Sequence, residues 1–338
     1  MPINAAAAAA PFSRSGRRAF AGMALAAVTV LAGSRAKAAQ TVTLAQNLSP
    51  ISGITIVALA RGIFAAHGLD VVVSNFTTGK QCLDAVLGGG AEIATTAESP
   101  VTAAAMANQP ISFLARMEYS DLKTLTSKAA NIHSPADLRG KRIGYTVGTG
   151  AEVYTMALLK RGGLTAADVT LINLRPQDMV AAMASGSIDA YNIFEPYIGN
   201  GKKILGDAVT ELDTAGVYAE TFNIVTMKSY LAAHPDTIKA FLRSLLEAEA
   251  WMKANREDAI KTVATVVNIG PADLTAIWDN FVYGVRLDQR TMDVLNQHAA
   301  WRLASGNHPP GATMPDWKQV IDAGPLRAIA PDRVTVPE

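Results

Sequence analysis

From Thr41 onward the chain alternates short strand-like and helix-like patterns. Thr41–Gln46 alternates apolar and polar residues, the period of a strand. Gly53 to His67 places Ile54, Val57, Ala58, Phe64 and Ala65 near the helical period, and Gly68 stops it. Asp70–Phe76, rich in valine, reads as a second strand, and Lys80–Leu87 as a helix ended by Gly88-Gly89-Gly90. Glu92–Thr96 reads as a third strand and Pro100–Ala107 as a third helix, with Pro100 at its first position and Ser99 as N-cap. Ile111–Met117 and Lys123–Ser127 read as extended segments that cross towards a second lobe.

The second lobe repeats the scheme. Strands at Lys141–Val147, Val169–Leu174 and Asp189–Phe194 alternate with helices at Ala151–Arg161, Gln177–Ala184 and a short one from Pro196. Serial βα units imply an α/β fold with largely parallel sheets and right-handed crossovers. Phe222–Met227 reads as a lone extended segment, after which strands stop. Thr237 to Lys253 carries one apolar stripe, formed by Ile238, Phe241, Leu242, Leu245, Leu246, Ala248, Trp251 and Met252. Helices without strands of their own must cover an existing sheet, and we place them on the first lobe. Residues 39–121 and 225–338 then form a discontinuous lobe I, and residues 122–224 an inserted lobe II. Crossings near Tyr119–Ser127 and Thr221–Val225 act as hinges beside a ligand cleft.

The first 38 residues stand apart. Arg17-Arg18-Ala19-Phe20, the apolar run Ala19–Gly33 and Ala36-Lys37-Ala38 make an export signal of twin-arginine type, cleaved near Ala38. Five of the 30 Lys+Arg residues lie there and no acidic ones, which leaves 25 against 29 Asp+Glu and a net charge of −4. A mildly acidic surface excludes nucleic acid as the expected partner. No later run approaches the ~18 apolar residues of a membrane span. Cys82 is the only cysteine, so no disulfide forms within one chain. The expectation is a soluble, monomeric periplasmic protein.

Four segments carry a resemblance. They are Ala60-Arg61-Gly62-Ile63-Phe64 before Gly68-Leu69-Asp70; Ala97-Glu98-Ser99-Pro100; Asp137-Leu138-Arg139-Gly140-Lys141; and Gly186-Ser187-Ile188-Asp189-Ala190 leading to Phe194-Glu195-Pro196-Tyr197. In this order the chain resembles the periplasmic solute-binding proteins of nitrate, taurine and alkanesulfonate ABC importers, over nearly its whole mature length. The resemblance implies the type II periplasmic-binding-protein fold, two αβ lobes closing on a ligand. It also implies a small organic anion as ligand, of alkanesulfonate or taurine type, and a membrane permease as partner. Phe194 stands where that family usually has tryptophan, and Gly148-Thr149-Gly150 where its sulfonate branch has a G-S-x loop.

The candidate ligand-binding residues follow from helix starts at the cleft, where free backbone N–H groups suit an anion. Thr149, Gly150 and Ala151 open a helix on lobe II, with Glu152 complementing its dipole. Ser52 and Thr78 precede the first two helices of lobe I, and Glu98 and Ser99 form the turn facing Thr149. Glu195 and Glu118 are further inward-facing carboxylates. If two of these carboxylates line the pocket, an amine-bearing or zwitterionic ligand follows, because unpaired buried carboxylates are costly. Phe222 and Tyr119 are the aromatic walls.

Enzyme signatures are missing. Gly148-x-Gly150 has Val153 where a dinucleotide fingerprint needs glycine or alanine, Gly79-Lys80 lacks the rest of a P-loop, and no G-x-S-x-G elbow occurs. The five histidines are scattered, so neither metal nor cofactor is expected and no residue is assigned a catalytic role. Cys82 reads as a small buried apolar residue. The alternatives are an enzyme on the same fold, a pyrimidine- or menaquinone-pathway relative, and a ligand-binding sensor.

Overall fold

The computed structural model describes residues 39–336, so the expected export signal lies outside the described residues. Strands β1 (Gln40–Asn47), β2 (Leu69–Phe76), β3 (Ile93–Ala97), β4 (Ile111–Asp121), β10 (Ala219–Met227) and β11 (Val282–Arg286) build one sheet, in the order β11-β4-β10-β3-β1-β2. Strands β5 (Lys123–Ser127), β6 (Arg142–Tyr145), β7 (Thr170–Asn173), β8 (Ala190–Ile193) and β9 (Val209–Leu212) build the other, in the order β7-β6-β8-β5-β9. The chain leaves the first sheet between β4 and β5 and returns between β9 and β10, through residues 213–218.

Three sequence expectations change. Thr221–Val225 is no crossing, because it lies inside β10, which runs antiparallel between β3 and β4. Strands do not stop there either, since β11 pairs antiparallel with β4 at the sheet edge. Both sheets are mixed: β1 runs parallel to β2 and β3, and β6 parallel to β7 and β8, whereas β5 runs antiparallel to its neighbours β8 and β9. The strands arriving at each crossing turn back on their neighbours, which reverses their direction relative to the βα units.

The helices are α1 (Gly53–Ala60), α2 (Ile63–Ala66), α3 (Gly79–Leu87), α4 (Glu98–Met106), α5 (Gly150–Arg161), α6 (Met179–Ala184), α7 (Tyr197–Leu205), α8 (Lys228–Ala233), α9 (Pro235–Ala254), α10 (Arg256–Val267), α11 (Pro271–Ile277), α12 (Gln289–Ser305) and α13 (Gly324–Arg327). The single helix expected over Gly53–His67 breaks into α1 and α2 because Gly62 takes φ +68°, a left-handed conformation no α-helix can continue through. Helix α4 begins two residues before Pro100, with Ala97 as N-cap, so Ser99 lies inside the first turn. Likewise Pro196 caps α7 and its first helical residue is Tyr197.

Each sheet has its own core. Leu44, Ile93, Phe113 and Ile224 are fully buried with Phe241 and Leu245 of α9, the helix whose stripe the sequence displays. Ile143, Leu158, Tyr191 and Ile193 centre the second core. There the Tyr191 hydroxyl donates to the Tyr197 carbonyl at 3.0 Å, running beneath α7 at Gly201. A Cβ on Gly201 would overlap that hydroxyl and sit 2.8 Å from Leu125 Cδ2. Gly201→Ala is therefore expected to cost about 1–3 kcal/mol of unfolding free energy, read from the midpoint of urea denaturation. An unchanged midpoint would show that α7 shifts freely. Cys82 is buried, and burial pushes its thiol up to about 12, an inert state. Among the described residues no helix is long and apolar enough to cross a membrane.

Candidate functional site

A cavity lies where the carboxyl ends of β1 and β3 meet lobe II. Asn47 ends β1 and Ile51 follows it; Thr78, Gly79 and Lys80 open α3; Ala97 and Pro100 surround the start of α4; Glu220 and Phe222 come from β10. Lobe II supplies Thr149 and Phe194. The lobes stand closed across it. Tyr218 donates to Glu98, Asn307 Nδ2 to Glu152 Oε1 at 3.4 Å, and Lys203 pairs with Asp273 at 2.5 Å. The free volume is about 10 Å³, room for on the order of one water molecule, so a solute enters only as the lobes part.

Local sequence sets each helix start. The Thr78 hydroxyl accepts from the Gln81 amide at 3.3 Å, while the Gln81 side chain accepts from the Thr77 and Thr78 amides, both at 3.2 Å. This capping box leaves Gly79 and Lys80 to present first-turn amides. In α5 the Ala151 amide donates to the Thr149 hydroxyl at 3.2 Å, and the Gly148 amide to Glu152 at 2.9 Å. Glu152 thus complements this helix start, as expected of its position.

Of the sequence candidates, the cavity lining brings together Thr78, Thr149 and Phe222. Gly150 lies at its edge, where an added Cβ would come 2.9 Å from Glu220 Oε1. The others stand behind or outside it. Ala151 is fully buried with its amide committed to Thr149. Ser52 is buried with its hydroxyl 3.3 Å from that of Thr95. Ser99 is buried with its hydroxyl unpartnered. Tyr119 is no wall of the cavity: its ring lies between the guanidinium groups of Arg116 and Arg290, 5.2 and 4.1 Å from its centroid. Glu195 accepts from the Gly199 amide at 2.9 Å and lies 3.5 Å from both Lys123 Nζ and Asn280 Nδ2, away from the lining.

The carboxylates form the most distinctive part of the site. Glu98, the first residue of α4, is fully buried and accepts from the Thr221 amide at 2.7 Å, the Thr221 hydroxyl at 3.0 Å and Tyr218. Glu118 is fully buried, with the Ser120 hydroxyl beside it as its one donor. Glu220, absent from the sequence candidates, is 2 % exposed, lines the cavity and leaves its Oε2 unpartnered. Burial holds all three carboxyls above the usual carboxylate range, and the charge of Glu98 raises Glu220 further. A readable signal for Glu220 exists. It sits two residues before Phe222 on one strand, hence on the same face, but a strand begun at Phe222 leaves it out. In register, Phe222 opposes Glu118 and Glu220 opposes Ser120, which gathers them on that face.

Comparison with known proteins agrees with this geometry. The profile of a family described as NMT1/THI5 like matches residues 50–259. The taurine-binding periplasmic protein of Escherichia coli (strain K12) is 30% identical over 209 residues, covering 61% of this chain and 65% of that protein. The alkanesulfonate-binding protein SsuA from Xanthomonas axonopodis pv. citri, solved bound to MOPS, superposes with a TM-score of 0.73 at 19% identity, over 83% of this chain and 98% of that one. The periplasmic nitrate-binding protein NrtA from Synechocystis PCC 6803 gives 0.72 at 16% identity, over 88% and 90%. At such identities these two likenesses establish the fold, the two-lobed architecture of periplasmic binding proteins.

Proposed function

The chain belongs to the NMT1/THI5-like family, and from that premise we propose that it is the extracytoplasmic solute-binding component of an ABC importer. It closes on a small organic anion, a sulfonate or taurine-like compound, and hands it to a membrane permease. The observation that carries this reading is the cavity enclosed by both lobes, with the α3 start and Thr149 contributed from opposite sides. Relatives with taurine- and sulfonate-binding names support the ligand class. The N-terminal segment serves as the export signal, the first sheet with its helices, β10 included, moves as one lobe against the second sheet with its own, and the protein works as a monomer that binds without turnover. Closure is a population shift towards the form in which both lobes touch ligand.

A thermal-shift screen of the purified protein tests the reading, across taurine, alkanesulfonates, nitrate, aromatic carboxylates and pyrimidines. A sulfonate present at 100 times its Kd is expected to stabilise the fold by about 2.7 kcal/mol through mass action. No shift with any sulfonate, together with a clear shift from a cationic or uncharged compound, would refute the assignment of ligand class.

A further inference from the structure

Resting on that reading, we propose that the ligand is a zwitterion whose ammonium group is held by Glu220, with Glu118 behind it, while its oxyanion end lies against the start of α3. Glu220 lines the cavity, is 2 % exposed and has an unpartnered oxygen. The fully buried Glu118 has no donor beyond the neighbouring Ser120 hydroxyl. Buried carboxylates short of donors are costly, and a pair of them on one sheet face compounds the cost. A protonated amine supplies the missing donors and charge together.

Three cations near this region spend their hydrogen bonds on other groups. Arg116, whose charge reaches Glu118, pairs with Asp288 at 2.5 Å, Lys80 pairs with Asp84 at 2.6 Å, and Arg302 donates to His298 and Asn307 at 3.1 and 3.0 Å. Among the described residues no group of three or more His, Cys, Asp or Glu is placed to hold a metal ion. The α4 start, an obvious anion cradle, already carries the Glu98 carboxylate. A plain anion therefore meets the Glu220 carboxyl at the lining, with Glu98 and Glu118 buried behind it. The α3 start is different. Its Gly79 and Lys80 amides border the same cavity, beyond the capping box of Thr78 and Gln81. Donors at one end and carboxylates at the other describe a short chain with an acid group and an amine. Burial raises the Glu220 and Glu118 carboxyls above the usual carboxylate range, and a neighbouring ammonium group would shift both back towards the ionised form.

The test is isothermal titration of the full chain with taurine, 3-aminopropanesulfonate, β-alanine and γ-aminobutyrate, each paired with its amine-free counterpart. At least one amine-bearing member is expected to bind about 10–100-fold tighter than its counterpart, the range of a hydrogen bond to a charged partner. Glu220→Gln should erase most of that preference. If Glu220→Gln does not fold, Glu118→Gln is expected to narrow the preference in the same direction. Equal binding within every pair, or a preference that survives in the folded variants, overturns the proposal and leaves the solute-binding reading standing. Absence of binding by all eight compounds overturns this proposal and counts against the parent reading as well.

Discussion

Phe241→Ala is expected to remove about 3–5 kcal/mol of unfolding free energy. Phe241 is fully buried on α9, and its ring stacks on Phe64 at a centroid distance of 4.8 Å. Phe64 belongs to α2, the short helix that follows the Gly62 break. One ring therefore ties a C-terminal helix to the first βα unit of the chain. Truncation loses the transfer free energy of the ring and leaves a void that flanking Leu242 and Leu245, themselves fully buried, cannot fill without moving the helix. Urea denaturation followed by circular dichroism reads the loss directly. Phe241 does not line the ligand cavity, so the affinity of the folded variant should stay near wild type. A midpoint shift below about 1 kcal/mol would mean that α9 is loosely docked, against the packing described.

That helix also shows what the sequence makes legible. The stripe from Ile238 to Met252 is a period of 3.6 that only a buried helix face explains, and α9 buries it on the first sheet. Short βα units are as readable, because valine-rich runs ended by glycine have few other solutions. The order of strands was not readable. β10 is inserted between β3 and β4, and β11 closes the edge beyond β4; these pairings join residues 98 or more positions apart in sequence, about which local pattern is silent. The site divides in the same way. Thr78, Thr149 and Phe222 follow from helix starts and a strand. Glu220 and Glu118 become a pair only through the β4–β10 register. Ala151 illustrates the opposite limit: helix-start chemistry marks its amide as a donor, yet the neighbouring Thr149 hydroxyl takes it.

Gly150→Val is expected to weaken ligand binding about 10–100-fold, the equivalent of a 1–3 kcal/mol overpacking cost, with little change in thermal stability. Gly150 is the first residue of α5 on lobe II, and Glu220 belongs to the sheet of lobe I. A Cβ at Gly150 would come within 2.9 Å of Glu220 Oε1, 3.2 Å of its Cδ and 3.4 Å of its Cγ. The nearest atom is the mobile end of a side chain, so alanine is accommodated by a small rotation. The two further methyl groups of valine press on the whole carboxylate and prop the lobes apart. In the open form that clash disappears, since the two residues then separate, and folding is unaffected. The cost therefore falls on closure, the step to which ligand affinity is coupled. Small-angle scattering should show that saturating ligand compacts the wild-type protein and compacts the variant less. Wild-type affinity in a folded Gly150→Val protein would show that the α5 start does not approach Glu220 when ligand is bound, and the two halves of the site would have to be reassigned.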